Sequence, residues 1–498
     1  MTSRERAARR ILPLTGRGAA FLALVVVAST IAPGPAGHAV SAGSRTATTA
    51  PNIVLILTDD QRWDSMWAMP QTVSLLGDHG VTFDQSFVVN PVCCPSRTTI
   101  LTGEWSGATG VWTNTGHHGG FKHFNDGSTI AVWLHNAGYQ TALMGKYLNG
   151  YTDPHASYIP PGWDQWDAFT SNGGQGNYFN YDLDENGTVT HYGSDASDYS
   201  TDVLAGDADQ FIRGAEPSRP LFLYLATRAP HQKAVAAPRD KGKFADIPPL
   251  RPPNFNEADV SDKPQYIQDL PLLTPAQIAK YDTQYRNNNE ALIAVDDLVA
   301  KVVTALQDTG RLSNTLIMFA SDNGLAYGEH RWEGKWVPYE ESIRVPTIIR
   351  YDPLTSTPST DDTHMILNVD WAPTFAALAG VSAPGAQGAS LLPILDGTVT
   401  SWRSEFLIEH LESVEGIPSY CAVRTDRYIY VKYTDTGEQE LYDLQNDPYE
   451  LQNIVTDPDE ASVLSGLQAD EKRLCRPPPP KLPASIRDLK PNMNTTEP

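Results

Sequence analysis

Residues 52–60 read NIVLILTDD, a short and largely apolar run that ends at two aspartates. The runs LFLYLA at 221–226 and LIMFA at 316–320 have the same form, and polar residues follow each of them. Runs of this kind, rich in Val, Ile, Leu and aromatic residues, are typical of strands buried on both faces of a parallel sheet. Helix-like stretches lie between them, at 198–213 and 288–309. This alternation predicts an α/β sandwich.

Oxygen-bearing side chains directly follow two of these predicted strands. Asp59 and Asp60 end the first, and Asp322 and Asn323 end the third. Because ligands in such folds sit beyond the carboxyl ends of the strands, we expect these side chains to lie at one edge of the sheet. The aspartate pair alone also fits a solvated turn with a helix N-cap. Both pairs together favour a hard cation such as Ca²⁺ or Mg²⁺, which prefers oxygen ligands.

The segment CCPSRTTILTG at 93–103 places two cysteines directly before a proline. Pro95 can open a helix, so the cysteines are predicted at its amino end, where the dipole and free N–H groups favour an anion or a nucleophile. The pattern C-x-P-S-R, followed by three residues and L-T-G, resembles the signature of the sulfatase family. These are formylglycine-dependent enzymes of the alkaline-phosphatase-like superfamily, and Cys93 matches the position that they convert to formylglycine.

The resemblance extends over residues 50 to about 455. Segments similar to further motifs of the family are PNIVLILTDDQ (51–61), GKYLNGY (145–151), ATRAPHQ (226–232), SDNG (321–324), GKWVPYEESIRVP (334–346) and ELYDLQNDPYELQN (440–453). With PPGW at 160–163 and DYSTDVL at 198–204, the chain is most similar to the N-acetylglucosamine-6-sulfatase and heparan 6-O-endosulfatase branch. The resemblance implies an α/β/α sandwich with a large, mostly parallel sheet, and a smaller C-terminal α+β subdomain with an antiparallel sheet.

The resemblance also implies a nucleophile and a metal site. The aldehyde formed from Cys93 would be hydrated to a gem-diol, one hydroxyl of which attacks sulfur while the other later collapses to expel sulfate. Asp59, Asp60, Asp322, Asn323 and modified Cys93 would hold Ca²⁺ or Mg²⁺, which lowers the proton affinity of the diol. Asp322 would also act as the base for the attacking hydroxyl.

The remaining motifs supply the other implied catalytic residues. Lys146 and Lys335 would bind the sulfate oxygens, and Arg97 would orient the diol. His231 would protonate the leaving alcohol, a role that suits the near-neutral pKa of an unperturbed histidine. Taken alone, the lysines fit solvated surface positions and Arg97 fits a helix-surface charge. Ser96 lies close to sulfate in the resemblance but also fits a donor at a helix terminus.

The chain departs from many arylsulfatases at one position. Those enzymes carry a histidine two residues after the first lysine, where this chain has Tyr147 followed by Leu148. His330, in YGEHR, is one candidate for the missing acid. His117 and His118, in TNTGHHGGF, are others, and they equally fit a loop that contacts substrate.

The N-terminal segment resembles a secretory signal peptide over residues 1–42. Arginines precede an apolar run at 19–32, and small residues follow as far as Ala42. The run is shorter than the roughly 20 residues that span a bilayer, which favours cleavage over a retained anchor. We therefore predict a secreted protein without a stable membrane anchor.

The rest of the chain divides into a catalytic domain at 50–399, a C-terminal subdomain at 400–475 and a Pro-rich tail at 476–498. Within the first, residues 227–275 lack periodicity and are predicted to form a long surface excursion. In the subdomain, 422–434, a turn at 436–437 and 440–444 resemble an antiparallel hairpin.

The four cysteines are too few for a disulfide scaffold in a chain of this length. Cys421 and Cys475 are candidates for a disulfide, although sequence does not establish their distance. Cys94 is interpreted as buried packing.

Charge limits the partners. With 59 acidic and 37 basic residues the formal charge is −22, which argues against nucleic acid as the main partner. An anionic sugar polymer would need a local basic patch. Candidates in the excursion are Arg228, Lys233, Arg239, Lys241, Lys243 and Arg251, which equally fit a solvated loop.

The sequence therefore predicts an exported sulfatase that hydrolyses a sulfated sugar, such as N-acetylglucosamine 6-sulfate, or aryl sulfates. Its maturation would require a formylglycine-generating enzyme. The alternatives are a phosphomonoester or phosphonate hydrolase of the same superfamily, and a non-catalytic protein that binds sulfated glycans with Cys93 unmodified. The cysteine signature and the all-oxygen ligand set argue against the phosphatase, which uses Ser or Thr with zinc.

Overall fold

The run NIVLILT forms a fully buried strand near the centre of a large sheet, as predicted. The computed structural model describes residues 50–151, 158–170, 177–355, 357–412 and 416–481. The predicted signal peptide and most of the Pro-rich tail lie outside these residues. Among the helices that are described, none is long and apolar enough to cross a membrane.

The strands are β1 (Asn52–Thr58), β2 (Val81–Phe83), β3 (Ser86–Phe87), β4 (Gln140–Gly145), β5 (Gln165–Phe169), β6 (Tyr181–Glu185), β7 (Thr188–Tyr192), β8 (Leu221–Ala226), β9 (Thr315–Ser321), β10 (Ala326–Tyr327), β11 (Glu333–Gly334), β12 (Thr347–Arg350), β13 (Ser359–Asp361), β14 (Ile366–Leu367), β15 (Glu405–His410), β16 (Tyr420–Thr425), β17 (Tyr428–Tyr433) and β18 (Gln439–Asp443). The α-helices are α1 (Pro70–Leu75), α2 (Cys93–Thr102), α3 (Ser106–Thr109), α4 (Ile130–Asn136), α5 (Ser200–Gly214), α6 (Gln265–Gln268), α7 (Pro275–Asp308), α8 (Glu340–Ile343), α9 (Trp371–Ala379), α10 (Leu392–Leu395) and α11 (Ala461–Leu474).

The large sheet has the strand order β13-β2-β12-β9-β1-β8-β4-β5-β6-β7. Its central strands β9, β1, β8, β4 and β5 run parallel. Antiparallel pairing occurs towards both edges, where β12 pairs with β9 and β6 pairs with β5. The sheet is therefore large and mostly parallel at its centre, as expected from the apolar runs.

Both faces of this sheet are covered by helices. On one face, Val54 and Ile56 of β1 belong to an apolar cluster with residues of α5 and α7. On the other face, Leu55 belongs to a cluster that includes residues of α2, α4 and α9. Because successive side chains of a strand point to opposite faces, a strand covered on both sides must be apolar throughout. The α/β/α sandwich is confirmed.

A separate four-stranded antiparallel sheet, β15-β16-β17-β18, follows the large one. The predicted hairpin with its turn at 436–437 is present, because β17 pairs antiparallel with β18. The stretch 422–434 is not continuous, however: it contains parts of both β16 and β17, which turn back on each other at 426–427 and pair antiparallel. A disulfide joins Cys421 of β16 to Cys475, directly after α11.

Helix α7 is longer than its periodic stretch predicted, because it begins at Pro275 and not near Asn288. Thr274 caps it: its hydroxyl accepts from the N–H of Gln277, whose side chain in turn accepts from the N–H of Thr274. This capping box with a proline at the first helical position is a strong start signal. The capping box lies at the end of the excursion, where the hydrophobic pattern of the sequence gives no indication of a helix.

Candidate active site

The residues that directly follow the parallel strands lie at one edge of the sheet. Asp59 follows β1, Lys146 follows β4 and Asp322 follows β9. These side chains are almost fully buried, as are the other predicted site residues. The residues that the structure brings together here are Asp59, Asp60, Cys93, Arg97, Lys146, His231, Asp322, Asn323 and Lys335.

Cys93 is the first residue of α2, as Pro95 predicted. Its sulfur lies 2.7 Å from Nζ of Lys335, which donates to it, and 3.4 Å from Oδ1 of Asp59. Burial raises the pKa of the Cys93 thiol well above its ordinary value, although Lys146 and Lys335 oppose this rise. The unmodified side chain is therefore a protonated thiol and a weak nucleophile.

The acidic residues form a compact ligand set. Burial acts to raise the pKa values of Asp59 and Asp60, but the nearby cationic groups hold both below the ordinary value. For Asp322 burial prevails and the pKa is raised, although Arg97 opposes it. Asn323 donates its amide to Oδ1 of Asp60 at 2.6 Å.

This ligand set fits a hard divalent cation. The buried Oδ1 of Asn323 has no hydrogen-bond partner among the described residues. An oxygen in that state suits a metal ligand, and the carboxylates around it supply the negative charge that Ca²⁺ or Mg²⁺ requires.

The backbone at this site adopts uncommon conformations. Asp60 has a φ of 64° and Trp336, next to Lys335, has a φ of 75°. Positive φ values cost free energy in residues other than glycine and persist where the surroundings enforce them. At Asp60 the N–H donates to Oδ1 of Asp322 at 3.2 Å, so the turn joins the two strand ends.

Cationic side chains surround the carboxylates. Lys146 donates to Oδ2 of Asp59 at 2.6 Å, and Lys335 donates to Oδ1 of Asp60 at 2.8 Å. Arg97 is fully buried; its Nε donates to Oδ2 of Asp322 at 2.7 Å, and its Nη1 donates to the carbonyl oxygen of Lys146 at 2.8 Å. It is therefore not the helix-surface charge that the simpler interpretation proposed.

Arg228 belongs to this site, and sequence reasoning placed it elsewhere. Its Nη1 lies 3.9 Å from Oδ2 of Asp59, and its Nη2 donates to the carbonyl oxygen of Gln232. The sequence groups it with the basic residues of the excursion. Its position three residues before His231, within ATRAPHQ, was the available signal.

Three of the other basic residues of the excursion form ion pairs, whereas Lys233 and Lys241 are exposed and have none within the described residues. Arg239 pairs with Asp202 and Asp297, Lys243 with Asp240, and Arg251 with Asp282. These ion pairs neutralise much of the charge, as the solvated-loop interpretation implied.

His231 is held between the cationic and acidic groups. Its Nε2 lies 3.5 Å from Oδ2 of Asp60, and its Nδ1 lies 2.9 Å from the carbonyl oxygen of Gln232. Burial, followed by the charge of Arg228, lowers the pKa of His231 to about 4, although Asp60 and Asp59 act in the other direction. The near-neutral pKa assumed from sequence therefore does not hold in this structure.

Ser96 and Cys94 have structural contacts. The hydroxyl of Ser96 accepts a hydrogen bond from Asn368 at 2.9 Å, within the protein interior. Cys94 is fully buried, as predicted, and burial raises its pKa to about 12.

The three candidates for a second acid make no hydrogen bond or ion pair with Cys93 among the described residues. Nδ1 of His330 lies 2.6 Å from Glu257 and its Nε2 lies 3.2 Å from Asn254, so its ring belongs to another cluster. His117 is exposed and His118 is partly exposed on a short 3₁₀ helix. At the position where arylsulfatases carry the histidine, Tyr147 and Leu148 are buried in the apolar core.

Comparison with known proteins gives the family. The Sulfatase family model matches residues 51–381, and the model described as N-sulphoglucosamine sulphohydrolase, C-terminal, matches residues 328–476. N-acetylglucosamine-6-sulfatase of Homo sapiens is 32% identical over 468 residues, which cover 86% of this chain and 82% of that protein. An extracellular sulfatase SULF-1 homolog of Drosophila melanogaster is 34% identical over 373 residues, covering 72% of this chain and 33% of that protein.

A solved structure has the same architecture. The structure of BT4656 in complex with its substrate D-glucosamine-2-N,6-O-disulfate superposes with a TM-score of 0.74 at 27% identity, covering 90% of this chain and all of that one. The fold is thus the alkaline-phosphatase-like fold of the sulfatases. The chain belongs to the sulfatase family and is a sulfuric ester hydrolase.

Proposed function

We propose that this protein is an exported sulfatase that removes the 6-O-sulfate from glucosamine residues of a sulfated glycan, with formylglycine at position 93 and a bound Ca²⁺ or Mg²⁺. The observation that carries this proposal is the position of Cys93. It opens a helix with its sulfur between Lys335 and Asp59, and its sulfur and ligand atoms of Asp59, Asp60 and His231 all lie within 4.8 Å of one another. Modification by a formylglycine-generating enzyme is part of the proposal, because the buried thiol itself is a weak nucleophile.

The proposed mechanism uses two groups that the gene does not encode directly, formylglycine and a divalent cation. When present, formylglycine offers a hydrated aldehyde whose hydroxyl attacks sulfur. When bound, the cation would be held by Asp59, Asp60, Asp322, Asn323 and residue 93, and would neutralise negative charge at the reacting oxygens.

The encoded cationic residues bind and orient the sulfate. Lys146 and Lys335 place ammonium groups on either side of the carboxylates, where they can contact the oxygens that gain charge in the transition state. Arg97 keeps Asp322 in position, and its Nη2 has no hydrogen-bond partner within the described residues and so remains available to the nucleophile. Asp322 would accept the proton of the attacking hydroxyl.

His231 would donate a proton to the leaving oxygen when the S–O bond breaks. In the free site its pKa is lowered to about 4, so it is neutral. A bound sulfate ester brings negative charge next to the imidazole and favours its protonated form. The proton then moves from Nε2, the nitrogen that faces the acidic cluster.

The proposed substrate follows from the relatives. The human protein is named for N-acetylglucosamine 6-sulfate, and the solved structure contains a 6-O-sulfated glucosamine. Export is supported by the signal-like N-terminus and by the extracellular sulfatase of Drosophila melanogaster.

Two measurements test the proposal. The mass of the tryptic peptide 63–97, from protein purified from its native producer, shows whether the Cys93 thiol has been replaced by an aldehyde. Hydrolysis of N-acetylglucosamine 6-sulfate is then compared with that of the 3-sulfate and the 6-phosphate. We expect the aldehyde and a preference for the 6-sulfate. An unmodified thiol with full activity would contradict the mechanism, and preferential hydrolysis of the phosphate would favour the phosphatase alternative.

A further inference from the structure

A second buried cluster of ligand-type side chains lies apart from Cys93. His330, Glu341 and Glu450 each direct one ligand atom to a common point, with all these atoms within 4.8 Å of one another. They come from the β10–β11 connection, from α8 and from the segment after β18. The exposed fractions of the three residues are 0%, 5% and 1%. The cluster therefore joins the C-terminal segment to the part of the chain that carries the catalytic residues.

The cluster contains buried oxygens that lack partners. Within the described part of the chain, Oε2 of Glu341, Oε1 of Glu450 and Oδ1 of Asn254 form no hydrogen bond. The other oxygens are occupied: Oε1 of Glu341 accepts from Asn254 at 3.0 Å, and Oε2 of Glu450 accepts from the N–H of Glu340 at 3.1 Å. Asn254 presents Nδ2 and not Oδ1 to the cluster. A buried unpaired acceptor costs free energy, so the two carboxylate oxygens indicate a missing positive partner.

The nearby carboxylates that do have cationic partners show the contrast. Glu340 pairs with Arg424 at 3.0 Å, and Glu257 lies 3.5 Å from Lys263. Across the residues that the structure covers, Glu341 and Glu450 have no ion pair with lysine or arginine within 4.0 Å. Two buried carboxylates without a cation destabilise the fold unless an ion or a proton neutralises them.

The hydrogen bonds of His330 leave its Nε2 as the nitrogen that can bind a metal. Its Nδ1 lies 2.6 Å from Oε2 of Glu257, a contact that places the ring proton on Nδ1. The lone pair of Nε2 is then directed towards Asn254, whose amide nitrogen lies 3.2 Å away. A histidine whose other nitrogen is bound to a carboxylate is the usual arrangement around protein-bound zinc.

Two of these residues also have strained backbones. His330 has a φ of 50° and Glu450 has a φ of 54°. Such conformations cost free energy in residues with a side chain and are concentrated at ligand sites.

We propose that His330, Glu341 and Glu450 bind a second divalent cation, of the Zn²⁺ or Mn²⁺ type, with the amide oxygen of Asn254 as a further ligand. One imidazole nitrogen among carboxylate and amide oxygens suits these ions better than Ca²⁺ or Mg²⁺, which favour oxygen alone. The amide of Asn254 has to turn over so that Oδ1 replaces Nδ2 at the cluster. Glu341 also lines a surface cavity of about 1030 Å³, which gives the ion a route inwards.

The ion would fasten the C-terminal segment to α8. Glu450 follows the last strand of the small sheet, whereas Glu341 lies within α8, six residues after Lys335. The alternative is a proton shared between the two carboxylates. Burial and the charge of Glu341 raise the pKa of Glu450 well above its ordinary value, which is compatible with that alternative. A measurement of metal uptake distinguishes a bound metal ion from a shared proton.

The test compares metal stoichiometry in matched variants. Chelator-treated full-length protein is dialysed against ZnCl₂ and, separately, MnCl₂, and the bound metal is measured by mass spectrometry. Glu450→Gln removes the negative charge of one proposed ligand and leaves the size and shape of the side chain almost unchanged. Glu409→Gln is the control, because Glu409 is equally buried in the small sheet and contacts Gly107 instead of this cluster.

We expect Glu450→Gln to bind about one equivalent less than the unaltered protein and Glu409→Gln to bind the same amount. The metal-dependent rise in Tm should shrink in Glu450→Gln only. If Glu450→Gln does not fold, His330→Gln takes its place with the same expected loss. Equal uptake by all variants, or no uptake beyond that of the catalytic cluster, would refute the second site. Because neither readout requires turnover or formylglycine, the result stands independently of the proposed sulfatase mechanism.

Discussion

The ammonium group of Lys335 lies 2.7 Å from the sulfur of Cys93, although 242 residues separate them in the chain. Asp60 fixes the same ammonium group at 2.8 Å. A lysine that touches both the nucleophile position and a cation ligand can contact a sulfate that bridges them. This geometry couples substrate binding to the attacking group, as differential stabilisation of a transition state requires.

Replacing Cys93 should abolish turnover. Cys93→Ala removes the sulfur, and without the thiol the β-carbon is not converted to an aldehyde. Cys93→Ser offers one hydroxyl where the mechanism needs two. We expect kcat/KM for a chromogenic aryl sulfate to fall at least ~10³-fold in both variants. The measurement is steady-state kinetics, with thermal unfolding to verify the fold.

Cys94→Ala is the matched control for the Cys93 variants. Cys94 is equally buried in the same helix turn. Its backbone N–H donates to Asn114, and its thiol lies next to the backbone at Asn149 and Gly120. The substitution leaves a small cavity, which costs about 1 kcal/mol of stability. Most activity should remain. Full activity in Cys93→Ala, or an equal loss in Cys94→Ala, would contradict the assignment of the nucleophile.

Arg228→Met should weaken sulfate binding. Arg228 contributes a cation beside Asp59 with a side chain that is only 12% exposed, and its loss removes attraction for an anionic substrate. We expect kcat/KM to fall ~10- to 100-fold, mostly through KM. Arg251→Met is the control, since Arg251 lies in the same excursion but pairs with Asp282. Similar kinetics in the two variants would show that Arg228 has no direct role.

Much of this site was predictable because parallel strands obey a simple rule. Apolar runs mark the strands, and the residues after them meet at one edge; that placed Asp59 and Asp322 correctly. Pro95 likewise predicted the start of α2. The sequence could not predict which side chains from distant segments contact each other. Arg228 lies in an aperiodic segment, and its ion pair with Asp59 is a property of the folded chain.

The lowered pKa of His231 has the same origin, because burial and the charge of Arg228 are properties of the folded state. The turn between β16 and β17 was missed for a local reason. Residues 426–427 are Asp and Arg, without the glycine or proline that would indicate a turn.

Stability should fall as pH rises from about 4 to 7, in part because of Asp207. This residue of α5 has a buried, unpartnered Oδ2, and burial, with Asp167 and Glu185, raises its pKa from 3.8 to about 7. Within that window the folded state keeps the proton and the unfolded state has released it. The unfolded state therefore binds fewer protons, so the free energy of unfolding decreases with rising pH and levels off above pH 7.

Asp207→Asn should remove this part of the pH dependence. At pH 8 we expect the variant to be more stable by roughly 1–3 kcal/mol, with little gain at pH 4.5. The measurement is Tm across that range. Asp209→Asn, on the same helix, loses a surface ion pair with Arg213 and serves as the control. A gain of equal size at both pH values would mean that packing, and not ionisation, distinguishes Asp207 from asparagine.

Removing the disulfide should destabilise the C-terminal sheet without touching the catalytic cluster. Cys421 and Cys475 close a loop with a sequence separation of 54, and a crosslink of that length restricts the unfolded chain by about 4 kcal/mol. In the double variant Cys421→Ala/Cys475→Ala we expect Tm to fall by several degrees, with kcat unchanged at 25 °C. A reducing agent should lower the Tm of the unaltered protein and leave that of the double variant unchanged.

Helix α11 also packs against the sheet through Leu467, in a cluster with Val423 and Leu441. If Tm does not change on removal of the disulfide, those apolar contacts alone hold α11 in place.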